Sequence, residues 1–63
     1  MRFYISKVGV RVIETEEYFY FFPVDVMLTW NTLARGIEKG FYHPQPKELF
    51  QDIVDNMEEF LVQ

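Results

Sequence analysis

Cysteine is absent from this 63-residue chain, which removes disulfides, thiolate metal ligands and a thiol nucleophile together. Histidine occurs once, at His43, so a structural zinc site, which takes four Cys or His ligands, cannot be assembled. Glycine occurs three times and never in a run. Gly36 and Gly40 close a helical pattern instead of opening one, which excludes a phosphate-cradling loop. Cationic excess is missing too: six Lys and Arg stand against ten Asp and Glu, a net charge of -4 that argues against general binding to phosphate backbones. No stretch approaches the ~18–20 uninterrupted apolar residues of a membrane span. Lys7 and Arg11 interrupt any leader-like start, so the mature protein is expected to be the whole chain.

Apolar residues are plentiful, at 49%, and 19% of the chain is aromatic. That composition and length describe one globular domain, residues 1–63, in a cysteine-free form that fits the cytosol. A domain of this size buries only about 60% of the surface its unfolded chain exposes, leaving a stability of roughly 3–5 kcal/mol unless something supplements the core. Self-association is the supplement the composition leaves open.

The expected fold class is α+β: a β-hairpin over about 3–13 and 17–22, then helices over about 26–39 and 46–61, lying as a single layer on a small antiparallel sheet. The strand reading rests on the β-branched and aromatic residues from Phe3 to Phe22, interrupted only by Glu14, Thr15, Glu16 and Glu17. A four-residue turn there sets Ile13 opposite Tyr18, Val12 opposite Phe19 and Arg11 opposite Tyr20. Val10, Val12, Phe19 and Phe21 then share an apolar core face. Arg11, Ile13, Tyr18, Tyr20 and Phe22 share the other. The apolar phase changes from odd to even positions between Ile5 and Val8, which predicts a bulge near Ser6 or Gly9.

Pro23 ends the ladder and Asp25 is the expected cap of the first helix. Its stripe is Met27, Trp30, Leu33, Ala34 and Ile37, and Gly40 ends it in a left-handed conformation. Gly36 reads as a point of close approach by a neighbouring element. The prolines at 44 and 46 make a stiff linker. In the second helix Leu49, Phe50, Ile53, Val54, Met57, Phe60 and Leu61 form the packing face, and Glu48, Asp52, Asp55, Glu58 and Glu59 the anionic one.

No catalytic constellation emerges: Ser6 has no base beside it, and His43 sits in the linker. No cofactor, metal or membrane is implied, and the chain is read as a non-enzyme. Two short helices cannot cover a two-stranded sheet carrying rings on both faces, and exposed apolar area of that kind marks an interface. The expected function is a small acidic protein-interaction module, homodimeric, that binds and occludes another macromolecule as an inhibitor or regulator of bacterial or phage type. Arg11, Tyr18, Tyr20 and Phe22 are the expected anchors, with Glu48, Asp52, Asp55 and Glu59 steering a protein partner of basic character. Two alternatives use the same residues. Arg11, Tyr18, Tyr20 and Phe22, with Lys7 alongside, resemble in composition a stacking platform for single-stranded nucleic acid, and the acidic helix could imitate one.

Overall fold

The computed structural model describes residues 1–6, 8–56 and 59–61, the last three by backbone alone. Three strands run as an antiparallel meander: β1 (Arg2–Ser6), β2 (Val10–Glu14) and β3 (Tyr18–Pro23). Helix α1 (Trp30–Glu38), the two-residue β4 (Gln45–Pro46), helix α2 (Lys47–Asp55) and β5 (Glu59–Leu61) complete an α+β fold. The sheet order is β4-β3-β2-β1-β5, every neighbour antiparallel.

The first half of the expected hairpin is two strands. Where a bulge was expected the chain reverses: the Gly9 N–H donates to the Ser6 carbonyl at 3.2 Å, and the Val10 N–H donates to Ser6 Oγ at 3.2 Å. Gly9 takes φ 83°, which only glycine adopts readily. The phase change between Ile5 and Val8 is therefore the mark of a reversal.

Between β2 and β3 the register differs from expectation by two residues, pairing Val12 with Phe21, Ile13 with Tyr20 and Arg11 with Phe22. The loop is shorter than the four residues expected. Thr15 closes it, its N–H donating to the Tyr18 carbonyl at 2.9 Å and its hydroxyl accepting from the Tyr18 N–H at 3.1 Å, so only Glu16 and Glu17 lie between. A shift of two preserves strand parity, and every side chain keeps its expected face.

Both faces are covered. Tyr4, Val12 and Phe19, flanked by Val10 and Phe21, pack beneath Phe50 and Val54 of α2. On the opposite side Ile13, Tyr20 and Phe22, with Phe3, pack beneath Trp30, Leu33 and Ile37 of α1 and the Tyr42 ring. The helices thus sandwich the sheet, where a single layer was expected. The short β4 explains how: it pairs with Tyr18 and Phe19 at the sheet margin, carrying the chain around the edge from one face to the other.

Helix α1 starts four residues later than expected. Thr29, and not Asp25, is its cap, accepting the Thr32 N–H at 3.2 Å, and Met27 stands 95% exposed in the preceding loop. Its end is as expected, with Gly40 at φ 78°. Gly36 is also a close approach: a Cβ there would lie 2.3 Å from Tyr42 Cε2.

Helix α2 stops at Asp55, and the chain returns as β5, setting Phe60 opposite Ile5 and Leu61 opposite Tyr4. Continuous helix to residue 61 was expected. Pairing satisfies the backbone groups along the outer edge of β1, which local periodicity does not register. The expectations for Lys7, Met57 and Glu58, and for the side chains of Glu59, Phe60 and Leu61, lie outside the described residues.

Candidate interaction surface

Three of the four expected anchors belong to the interior. Arg11, Tyr20 and Phe22 are each 8% exposed beneath α1 and its flanking loops. The Arg11 guanidinium lies 4.2 Å from the Trp30 ring centre, and its Nη1 donates to the carbonyls of Val26 at 3.2 Å and Leu28 at 2.9 Å. Trp30 in turn stacks on Phe3 at 5.4 Å. The face that the sequence offered as a partner site or base-stacking platform is filled by the chain's own helix, because α1 lies opposite α2 and not beside it. Tyr18 alone of the four remains exposed, beyond the reach of α1.

The outer surface of α2 holds the rest. At 100° per residue, Leu49, Phe50, Ile53 and Val54 span roughly 140° of the helix circumference. One sheet face covers the Phe50 and Val54 half of that arc. Leu49 and Ile53, expected in the packing face, are left 69% and 50% exposed. Alongside them run the exposed Glu48, Asp52 and Asp55. Asp55 accepts a hydrogen bond from Gln51 at 2.8 Å. Among the described residues Glu48 and Asp52 make no ion pair.

Lys47 does not neutralise this surface. Its Nζ sits 2.8 Å from Glu14 Oε2 and 5.6 Å from the Phe19 ring centre, so its charge is spent inward. Glu14 also meets Arg2 at 3.5 Å. Glu14→Gln is expected to lower stability by about 1 kcal/mol, less in high salt, because the Lys47 pair is only partly screened and the Arg2 pair mostly so. Urea melts at two ionic strengths check this, and an unchanged or larger loss in salt would contradict it.

From the N-terminus of α2 the acidic strip continues onto the β2–β3 turn. Glu16, Glu17, Tyr18, Pro46, Lys47 and Glu48 line one open groove of about 450 Å³. Tyr18 also borders a second hollow of about 380 Å³ with Met1 and Thr15. The fold therefore joins Tyr18 to Glu48 and separates both from Arg11, Tyr20 and Phe22. Asp52 and Asp55 stand on the same helix, while the Glu59 side chain is outside the described residues.

Compared with known protein families, curated proteins and solved structures, the chain matches none. The chemistry must be read from the surface itself. His43 borders a hollow of about 250 Å³ whose lining, Tyr20, Phe21, Phe22, Tyr42 and Gln45, contains no carboxylate to orient it as a base. Among the described residues no group of three His, Cys, Asp or Glu side chains could hold a metal ion. No helix among them is long and apolar enough to cross a membrane. Sequence reasoning missed Leu49 and Ile53 as surface residues. The available signal was an apolar arc broader than one sheet face covers.

Proposed function

We propose that the protein is a small interaction module that binds and occludes another macromolecule through the outer face of α2. One observation carries this reading: Leu49 and Ile53 stand outward, one helical turn apart, on a fold whose sheet is otherwise covered on both sides. Covering a Leu or Ile side chain fully is worth roughly 1.5–3 kcal/mol, so the pair offers a partner a useful fraction of a binding free energy. Glu48 and Asp52 beside it supply charge that speeds encounter with a basic partner and discourages an acidic one.

A second copy is not the favoured partner. The homodimer was inferred from an uncovered ring face, and Tyr20 and Phe22 lie under α1. Two α2 surfaces meeting face to face would also set Glu48 and Asp52 against their equivalents. Single-stranded nucleic acid is less favoured for a related reason, since Arg11, Tyr20 and Phe22 have no open face on which a base could stack. An enzymatic reading lacks a nucleophile paired with a base.

The test uses tagged wild type and the Leu49→Ser, Ile53→Ser double variant as parallel baits in extract of the source cells. Both substitutions are at exposed positions, so the variant should melt within about 1 kcal/mol of wild type. A species retained by wild type and reduced about tenfold or more by the variant, a loss of roughly 1.4 kcal/mol, is the expected result. Equal retention by both baits, or none by either, overturns the proposal.

A further inference from the structure

We infer that the occupant of the α2 face is a cationic amphipathic helix of the partner, its apolar ridge seated on Leu49 and Ile53 and its basic side chains along Glu48 and Asp52 toward Tyr18. This rests on the preceding reading and names the partner's chemistry.

Shape gives the first argument. Beyond its first turn the face presents side chains, because the backbone groups there are engaged within α2, so an extended peptide would find no strand ladder to join. Leu49 and Ile53 form an i, i+4 ridge with their side chains about 6 Å apart along the axis, the relief that a second helix meshes with through its own i, i+3 and i+4 positions.

Charge gives the second. Beside the apolar ridge, Glu48 and Asp52 form an anionic one, and the groove at the start of α2 adds Glu16 and Glu17. Lys47, which lines the same groove, is paired with Glu14. Among the described residues Glu16, Glu17, Glu48 and Asp52 make no ion pair, in a chain whose net charge is -4. A partner of matching pattern carries lysine or arginine flanking its apolar stripe.

Tyr18 gives a third. Tyr18 is exposed and lines the same groove as Glu16, Glu17 and Glu48, bringing an aromatic residue beside carboxylates. An arginine guanidinium at the end of the docked helix is suited to both, through cation–π contact and charge-assisted hydrogen bonds.

The probe is a fluorescein-labelled synthetic peptide of about 18 residues, long enough to form a helix on docking, with leucines at i, i+3, i+4 and i+7 and lysine and arginine on both flanks. Two controls accompany it: the same composition scrambled, and the same pattern with glutamate in place of the basic residues. Anisotropy titrations at low and high salt read binding. The cationic helix should bind wild type, and scrambling should weaken it about tenfold or more. The acidic peptide should not bind.

Leu49→Ser with Ile53→Ser should weaken the probe at both salt concentrations, whereas Glu48→Gln with Asp52→Asn should weaken it chiefly at low salt. Circular dichroism confirms that each variant is folded. Equal binding of the scrambled peptide overturns the inference, since only bulk attraction would then be at work; so does equal binding of the acidic peptide, or no binding of any. If the probe fails while cellular capture still depends on Leu49 and Ile53, the chemistry assigned to the occupant is wrong and the face stands. If capture is indifferent as well, both readings fall.

Discussion

Replacing Arg11 with alanine is expected to cost the fold about 3 kcal/mol and to release the loop of residues 24–29 from the sheet. The guanidinium makes two hydrogen bonds to backbone carbonyls of that loop, those of Val26 and Leu28, and its carbon lies 4.2 Å from the Trp30 ring centre. Hydrogen bonds from a charged donor contribute about 1.5–3 kcal/mol each, and a desolvated cation over an indole about 2. Burying a cation offsets part of this, since its acceptors here are carbonyls and, among the described residues, no carboxylate pairs with it. Against a total of roughly 3–5 kcal/mol for a domain of this size, the alanine variant approaches the unfolding midpoint at room temperature. Arg11→Lys should recover less than half of the loss, because an ammonium cannot span two carbonyls while stacking on a ring. Urea melts measure the cost. Trp30, the only tryptophan, reports the site directly, and its emission should shift to the red as water enters. A variant within 1 kcal/mol of wild type, with unshifted emission, would contradict the clamp.

Gly36→Ala is expected to destabilise the protein by about 1–3 kcal/mol, although alanine in a helix interior normally gains about 1 kcal/mol over glycine. The added Cβ would stand 2.3 Å from Cε2 and 2.9 Å from Cζ of Tyr42. That ring is not free to swing aside, because it meets Phe22 edge to face with centres 5.0 Å apart. Overpacking therefore outweighs propensity. Tyr42→Ala removes the obstacle, and in that background the same glycine substitution should turn stabilising by as much as 1 kcal/mol. Four chemical-denaturation curves complete the cycle. Additive effects would mean that the ring and the helix are not in the contact described.

The strand faces were legible because parity survives a two-residue error. The pairing itself was not, since whether Glu14 and Thr15 belong to the turn or to the strand depends on the Thr15 hydroxyl meeting the Tyr18 backbone, a contact that local pattern does not encode. The late start of α1 has a similar cause: Asp25 and Thr29 are both good caps by type, and tertiary anchoring of the intervening loop by Arg11 favours the second. The end of α2 was beyond reach for a different reason. Residues 49–61 keep helical period, and only the long-range demand of β1 for a second neighbour draws the last of them into the sheet. The exposure of Glu48, Asp52 and Asp55 on the polar side of α2 was readable from helical period, whereas nothing in the pattern set Tyr18 apart from Tyr20 and Phe22. The burial of Arg11, Tyr20 and Phe22 was not readable, because it depends on which side of the sheet α1 takes, and β4 decides that by turning the corner at Gln45 and Pro46.

A sheet clad in helices on both sides has no wet surface to tell a strand which way up it lies. Sliding β3 along β2 by a single position would exchange one greasy set for another, with none of the penalty that guards a half-exposed sheet. Between Val10 and Ile13, and from Tyr18 to Phe22, Arg11 is the sole charged residue. Turned over, it would face Phe50 and Val54 in place of the carbonyls that now receive it. The relative orientation of β2 and β3 is thus entrusted to one cation and to the Thr15 latch at the turn.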